Sequence, residues 1–198
     1  MHVKIGISNK GAGMSKIKDD EPSNLKGNNT YLFMDDFTPE TVAPVIEFIL
    51  EKNFISARKR PKNLTLIICS PGGDMTSAFA LIDIMHGSAI PVHTLGIGQI
   101  SSCGILTFMS GTKGHRVLTA NTSILSHQWS WGTYGKSHEL VAVAKEFELT
   151  DEKMLAHYKR CTGLDEKTIK KFLLPAHDVW LTAQEAVKYG IADSIKKV

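Results

Sequence analysis

The sequence predicts one α/β domain built on a mainly parallel sheet, and three observations support this fold class. Apolar runs at residues 64–69 and 92–97 are continuous and bounded by turn residues, as is typical of strands buried on both faces. Segments with helical periodicity follow these runs after short links, which favours right-handed βαβ crossovers. The 198 residues, 42% of them hydrophobic, are enough for one domain with a substantial core.

Composition excludes several classes of protein. The charged fraction of 22% and the net charge of +3 indicate a globular protein and give no sign of a nucleic-acid-binding one. No stretch reaches the roughly 18 apolar residues of a membrane span, and residues 1–30 lack the apolar region of a signal peptide. The three cysteines, Cys69, Cys103 and Cys161, have no metal-ligand spacing. We therefore expect a cytoplasmic protein without cofactor, membrane association or nucleic-acid partner.

The first 30 residues differ in character from the rest. Residues 1–30 are rich in Gly, Lys, Ser and Asn and show little periodicity, so we expect a flexible N-terminal arm before a domain at 31–198. A short strand is predicted at 31–33. Thr38 then caps a helix, because its hydroxyl can accept a backbone N–H bond, and Pro39 suits the first turn.

The strand at 64–69 ends in the turn sequence Ser70-Pro71-Gly72-Gly73-Asp74. A helix follows, because Ala78, Ile82 and Met85 recur at a spacing that places them on one side. This strand, turn and helix form the first predicted βα unit.

The junction at residues 98–105 carries the main functional signal. It follows the strand at 92–97 and precedes an apolar helix at 102–109, and small residues crowd it. A serine at such a turn can expose its hydroxyl, while the N–H groups at the helix start face the position where an acyl oxyanion would form. Small residues at strand–helix junctions also serve packing, so this segment alone leaves both interpretations open.

The second half of the chain contains one exceptionally long periodic segment, at residues 137–160. A helix of that length in a small domain must project or pack against a partner to bury its apolar side. The other elements predicted here are short strands at 116–118 and 123–125, an irregular segment at 128–136, a short helix at 165–173, a helix with a capping box at 182–185 and a stop at Gly190, and a final strand or tail at 191–195.

A serine nucleophile needs a base to take its proton and an acid to hold the base in one tautomer. Of the eight histidines, His127 ends a strand in the same βα region as Ser102. Among the later acids, Asp178 lies in the irregular link at 174–180. A histidine at a strand end is often only a hydrogen-bonded edge residue, and an acid in a link is often a cap. The residues alone thus give a plausible Ser–His pair and several candidate acids.

Four segments together resemble the ClpP family, the proteolytic subunits of self-compartmentalised ATP-dependent proteases. They occur in the family's order and spacing, and the similarity extends over residues 31–195. The resemblance implies a ClpP/crotonase-like βαβ superhelical core with a handle at about 128–161, in which the long helix at 137–160 corresponds to the protruding handle helix that joins two rings. The four segments are Ser70-Pro71-Gly72-Gly73, Gln99-Ile100-Ser101-Ser102-Cys103-Gly104, Ser126-His127-Gln128 and His177-Asp178-Val179-Trp180-Leu181-Thr182-Ala183.

The resemblance implies a role for each matching residue of a catalytic triad. Ser102 corresponds to the nucleophile, His127 to the base and Asp178 to the orienting acid, and Ser101 is then only a neighbour. The order Ser, His, Asp along the chain differs from the orders in trypsin, subtilisin and the α/β-hydrolases, as expected when one geometry arises on an unrelated fold.

The resemblance also implies an oxyanion hole and a substrate-binding segment. The backbone N–H groups of Gly73 and Cys103 correspond to the oxyanion donors, and Gly72, Gln128 and Trp129 to residues that bind an extended peptide. Cys103 stands where the family usually has Met. Since only its N–H is needed, this change should be tolerated.

Three further departures from the family pattern concern other parts of the chain. His177 replaces an Arg that many members use in an ion pair between rings. Trp129 and Trp131 are bulkier than the residues usual at these positions and are expected to narrow the substrate cleft. Residues 1–30 do not show the family's axial-loop pattern, so the docking of an ATPase is not recognisable from them.

The function implied by the resemblance is that of a serine endopeptidase. It would cleave unfolded polypeptides inside a homo-oligomer of stacked rings, a tetradecamer in the family, fed by an AAA+ ATPase unfoldase. The alternatives are a phage prohead-type protease that acts without an ATPase and a non-catalytic regulatory ring subunit. A crotonase-type acyl-CoA enzyme shares the fold, but it needs no nucleophilic serine with a histidine.

Overall fold

The computed structural model describes residues 25–130, 132 and 134–197. Most of the predicted N-terminal arm and Trp131 therefore lie outside the described residues. The described strands are β1 (Thr30–Phe33), β2 (Leu64–Ser70), β3 (Val92–Ser101), β4 (Arg116–Thr119), β5 (Ser123–Ser126), β6 (Val179–Leu181) and β7 (Ser194–Lys196). The described α-helices are α1 (Pro39–Phe54), α2 (Met75–Gly87), α3 (Cys103–Met109), α4 (Ser137–Thr162), α5 (Glu166–Phe172) and α6 (Ala183–Lys188).

The strands form one mixed sheet in which β3 is central. The main path runs β1-β2-β3-β4-β7, and every pairing along it is parallel. The amino half of β3 pairs with β4, and its carboxyl half pairs with β5, which is also parallel to it. Only β6, antiparallel to β5, departs from this pattern. The predicted α/β class with a mainly parallel sheet is confirmed.

β3 is longer than the apolar run predicted. It continues past Ile97 to Ser101, and its register against β2 shifts between the partners Ile68 and Ser70. Gly98 has φ +60° at this irregularity, a conformation that glycine adopts without a side-chain clash. The apolar pattern ends at the shift because β3 then pairs with a different strand, β5.

The link predicted as irregular at 174–180 contains the start of β6, so that prediction is wrong at its end. Val179–Leu181 pairs with β5 in the register Ser126↔Val179 and Ile124↔Leu181. A strand of three residues is too short to give a recognisable two-residue alternation. The correction concerns the site directly, because Asp178 immediately precedes β6.

The core lies between the sheet and the helices that cover it. α3 is buried along its whole length, and the residues predicted on one side of α2, Ala78, Ile82 and Met85, are all buried. α1 begins at its predicted cap, where the Thr38 hydroxyl accepts the Thr41 N–H. These packed helices fix the carboxyl edge of the sheet, where the candidate site lies.

α4 is half buried and half projecting, as the sequence predicted for so long a helix. Its carboxyl half buries Met154 and Tyr158 against the core and ends at Gly163, which has φ +76°. In its amino half, by contrast, the side chains of Leu140 and Val141 are exposed. Isolated helices gain most of their stability from packing an apolar face, so this half needs a partner surface.

A buried ion pair lies at the side of the sheet formed by β4 and β7. Arg116, only 3% exposed, donates to both carboxylate oxygens of Asp193 at 2.6 and 2.9 Å and to the Cys161 carbonyl at 3.0 Å. These bonds join β4 to the segment before β7 and to the end of α4. Within the described ranges, no helix has both the length and the apolar character needed to cross a membrane.

Candidate active site

Ser102 occupies a strained turn between β3 and α3. It has φ +53° and ψ −120°, and among the described residues Asn29 is the only other non-glycine with a positive φ. Its N–H donates to the Leu125 carbonyl at 3.1 Å, and its own carbonyl accepts from Ile105 at the start of α3. Strain of this kind persists only where the surroundings fix it, and it projects the side chain from the end of the sheet.

The structure distinguishes Ser102 from its neighbour Ser101. Ser101 is 1% exposed, and its hydroxyl accepts a hydrogen bond of 2.9 Å from the Gln99 side chain. Ser102 is half-buried, and its side chain lies against Gly72. Of the two serines, Ser102 is the one whose hydroxyl can meet a substrate.

The strand register brings His127 and Asp178 to the same edge as Ser102. Ser126, the last residue of β5, pairs with Val179, the first residue of β6, in an antiparallel ladder. His127, which follows β5, therefore faces Asp178, which precedes β6. His127 Nδ1 lies 3.9 Å from Asp178 Oδ1. In the described structure no hydrogen bond joins Ser102 to His127, so the three side chains stand in an open arrangement. Catalytic hydrogen bonds of free enzymes are often long in this way.

Buried hydrogen bonds hold the backbone just before His127. The Ser126 hydroxyl donates to the Leu173 carbonyl at 2.6 Å and lies 2.7 Å from the Tyr158 hydroxyl of α4. Burial raises the pKa of Tyr158 well above its ordinary value, so its hydroxyl stays protonated and can donate to Ser126. The position of His127 thus depends on contacts with α4 and with the end of α5.

Gly72 and Gly73 adopt conformations that other residues rarely take, with φ values of +113° and +142°. The Phe37 N–H donates to the Gly72 carbonyl at 2.8 Å, and the Asp74 N–H donates to the Phe37 carbonyl at 2.8 Å. These two bonds hold the peptide groups on either side of Gly73. A Cβ on Gly73 would overlap the Phe37 backbone, and one on Gly72 would lie 2.6 Å from Ser102 Cβ.

Two backbone donors lie next to Ser102. Among the described residues, neither the Gly73 N–H nor the Cys103 N–H donates to a backbone carbonyl. The Cys103 thiol is buried and donates to the Gly73 carbonyl across 3.2 Å. Burial raises the pKa of Cys103 to about 12, although hydrogen bonds with the Gly73 and Cys103 backbones and with Ser102 oppose this, so the thiol stays protonated. Because neither N–H is committed to a carbonyl oxygen, the pair can receive a developing oxyanion.

The segment after His127 is held by its side chains. Gln128 donates its amide N–H to the Leu174 carbonyl at 3.0 Å. The Trp129 indole N–H donates to Asp151 Oδ1 of α4 at 2.5 Å, and its ring packs on Phe147 with centroids 5.0 Å apart. The Trp129 side chain, which was predicted to narrow the cleft, thus packs against α4, while Trp131 lies outside the described residues.

Sequence reasoning missed Phe37, Phe147 and Asp151 as neighbours of this site. Phe147 lies in the periodic segment at 137–160 that was predicted as a long helix, so its place in α4 was foreseeable although its contact with Trp129 was not. Phe37 acts through its backbone, which leaves no residue-type signal. In the part of the chain that the structure describes, no three His, Cys, Asp or Glu side chains come together as a metal site.

A comparison with protein-family models gives one match, to the model described as Clp protease, over residues 28–198. The match includes the Ser102 turn, the two glycines and the strand ends that carry His127 and Asp178. The arrangement of the sheet and the long helix is consistent with the ClpP/crotonase fold. Members of this family are serine-type peptidases and form oligomers. The chain therefore belongs to the Clp protease family of serine peptidases.

Proposed function

We propose that this protein is a serine endopeptidase that cleaves unfolded polypeptides inside a homo-oligomeric chamber. The single observation that carries the proposal is the carboxyl edge of β3 and β5. There the strained Ser102 lies beside the N–H groups of Gly73 and Cys103, which donate to no backbone carbonyl of the described residues, and His127 and Asp178 lie at the adjoining strand ends.

In the proposed mechanism Ser102 Oγ attacks the carbonyl carbon of the scissile peptide while His127 accepts its proton. The oxyanion receives hydrogen bonds from the N–H groups of Gly73 and Cys103. Asp178 holds the Nδ1–H tautomer of His127 and stabilises the imidazolium. His127 then gives the proton to the leaving amine. Water, deprotonated by His127, releases the acid from the acyl-enzyme and restores the Ser102 hydroxyl.

Substrate binding is assigned to Gly72 and to the segment of Gln128 and Trp129. Gly72 has no side chain above Ser102, which leaves room for an extended peptide to approach. Main-chain pairing with such a peptide gives affinity with broad sequence tolerance. The side-chain bonds of Gln128 and Trp129 to Leu174 and Asp151 support this by keeping their backbone in place.

We further infer that the oligomer consists of stacked rings, a tetradecamer, and that an AAA+ ATPase feeds it with unfolded chains. Family membership and the projecting amino half of α4 support the rings. The inference that an ATPase feeds the chamber rests on family membership alone.

A non-catalytic ring subunit is the second candidate. The 3.9 Å separation of His127 and Asp178, with no bond between Ser102 and His127, is what an unaligned triad would show.

Labelling with a fluorophosphonate probe, read by intact mass, tests the assignment on the assembled protein. We expect one adduct on the wild type and on Ser101→Ala, and none on Ser102→Ala. Peptide cleavage should be lost only in Ser102→Ala, with an unchanged midpoint of unfolding. An adduct on Ser102→Ala would show a different nucleophile, and an unlabelled wild-type assembly would favour the non-catalytic subunit.

A further inference from the structure

A cavity of about 280 Å³ opens beside the oxyanion hole. Its lining includes Gly73, Asp74 and Met75 from the start of α2, Trp129 from the segment after His127, and Glu146 and Phe147 from α4. It is thus enclosed by three separate parts of the chain.

The cavity lies next to the reacting atoms. Cys103, which directly follows Ser102, contacts two of its lining residues, with Sγ 3.2 Å from the Gly73 carbonyl and 3.5 Å from Met75 Sδ. In the proposed mechanism Gly73 holds the oxygen of the attacked carbonyl. That carbonyl belongs to the substrate residue before the scissile bond, so the side chain of this residue is the one nearest to the cavity.

Part of the cavity wall is apolar and is formed by Met75, Trp129 and Phe147, while Thr76, Ser130 and Thr150 add hydroxyl groups to the lining. Trp129 and Phe147 pack edge to face, and the bond from the Trp129 indole to Asp151 sets the orientation of its ring. Aromatic faces and the Met75 thioether suit the methylene stem of a long side chain, and the faces also attract cations.

The charged part of the lining is acidic. Among the described residues, Asp74 and Glu146 are the charged residues of the lining, and no described Lys, Arg or His belongs to it. Partial burial raises the pKa of Asp74, but hydrogen bonds from Ser77 and Thr76 outweigh this and keep it below its ordinary value. Glu146 Oε1 lies 4.0 Å from Lys153 Nζ, two turns further along α4, and both side chains are exposed, so this pairing is weak. The lining therefore retains negative charge.

We propose that this cavity receives the side chain of the substrate residue before the scissile bond and favours a long side chain with a cationic end, that of Lys or Arg. The apolar walls bind the stem, and Asp74 and Glu146 attract the charge. This inference rests on the proposed function, since it assigns a preference to the same site.

The test uses short fluorogenic peptide amides that differ only in the residue before the scissile bond. Lysine and norleucine share an unbranched four-carbon stem, so the ratio of their kcat/KM values isolates the cationic end. We expect the wild type to prefer the lysine peptide by roughly five- to tenfold, with a glutamate peptide cleaved least.

Asp74→Asn and Glu146→Gln remove one charge each with little change of shape, and asparagine caps a helix as well as aspartate does. Each should lower the lysine-to-norleucine ratio by about threefold, because partly exposed ion pairs are worth little. Glu148→Gln is the matched control, because this carboxylate lies on the same helix but pairs with Lys145 outside the cavity. It should leave the ratio unchanged.

Fluorophosphonate labelling of Ser102 in each variant separates the two proposals. Two outcomes would overturn the inference if Ser102 is labelled normally. One is a wild type that prefers the norleucine peptide, and the other is a lysine-to-norleucine ratio that neither variant changes. Both outcomes would leave the peptidase assignment intact. Absence of labelling and of all peptide cleavage in the wild type would refute the proposed function, and this inference with it.

Discussion

We assign the backbone N–H groups of Gly73 and Cys103 as the oxyanion donors. The Cys103 thiol belongs to the second of these residues and donates a hydrogen bond to the carbonyl of the first. Its bond to the Gly73 carbonyl and the Asp74 N–H bond to Phe37 hold the same peptide group. The orientation of that group helps to set the direction of the Gly73 N–H. We therefore infer that the Cys103 side chain helps to position the Gly73 N–H. From the sequence, only the backbone N–H of Cys103 was expected to be necessary.

We expect Cys103→Ala to lower kcat by roughly three- to tenfold with little change in KM, because a misdirected donor weakens binding of the oxyanion and not of the ground state. Loss of a whole donor would cost about 10²–10³ in rate, so a partial loss is expected. Steady-state kinetics with one fluorogenic peptide measures this.

Cys103→Ser provides the control, since its hydroxyl can donate to the same carbonyl. It should retain most of the wild-type kcat. Equal losses in the alanine and serine variants would argue that the volume of the sulfur matters and its hydrogen bond does not.

The residues of the site could be predicted to different extents. Ser102, His127 and Asp178 were predicted as a triad because they lie in segments with the order and spacing of the family, and the structure places all three at one edge of the sheet. The Cys103 thiol bond and the contact of Phe37 with the glycines could not be predicted. Both join atoms that are distant in sequence, and one of them involves only backbone.

At the scale of elements, α4 holds the carboxyl end of α3 through His157. This side chain is 2% exposed, and its Nε2 lies 2.9 Å from the Leu106 carbonyl and 3.2 Å from the Ser110 hydroxyl. Its Nδ1 faces the Arg160 guanidinium at 2.9 Å. Burial, with smaller effects from Arg160 and His86, lowers the pKa of His157 to about 4, although the bond to Leu106 opposes this. The folded protein therefore holds this ring neutral.

A lowered histidine pKa makes the folded state sensitive to acid. Its stabilising effect is complete above the ordinary pKa of 6.5 and is lost as the pH falls towards the folded pKa of about 4. We expect His157 alone to lower the free energy of unfolding by about 2 kcal/mol between pH 7 and pH 5. Urea unfolding at both pH values and one protein concentration measures this.

His157→Gln isolates this effect from the other histidines, because an amide can donate to the Leu106 carbonyl but does not titrate. The variant should lose less stability than the wild type over the same pH interval. The same loss in both proteins would contradict a titrating role for His157.

Elements with strong periodicity were predicted well, and so were the short strands β1, β4 and β5 and the short helix α5, whereas the short strand β6 was not. The long helix was expected at 137–160 and is observed at Ser137–Thr162, and the caps at Thr38 and Thr182 lie where predicted. β6 was missed, because pairing with β5 and not local sequence decides the state of three residues.

At the scale of the molecule, the amino half of α4 carries apolar surface that the described residues of this chain leave exposed. Val141 is 70% exposed, and Leu140 and Leu149 of the same helix are 39% and 37% exposed. We expect Val141→Glu to shift native mass spectra at micromolar concentration from the full assembly to smaller species, because a buried unpaired charge is costly at an interface.

Glu148→Gln, on the same helix, should assemble as the wild type does. Unchanged assembly of Val141→Glu would show that this part of α4 is not an interface. A wild type that is only monomeric would contradict the proposed chamber.

The βαβ order of the sheet was predictable from alternating patterns, but the branching of β3 was not. The sequence gives no sign that β4 pairs with one half of β3 and β5 with the other. Which strands become neighbours depends on how the helices pack over the sheet, and this is decided by the whole core.

The antiparallel β6 comes late in the chain, after both α4 and α5, although it completes a site begun at β3. On the ribosome, the segments that carry Ser102 and His127 are therefore made well before the one that carries Asp178. With the roles proposed above, the imidazole would have no carboxylate to set its tautomer until β6 pairs with β5, and a nascent chain would have a serine without a competent base. The order of synthesis would then keep an incomplete peptidase silent beside other newly made polypeptides.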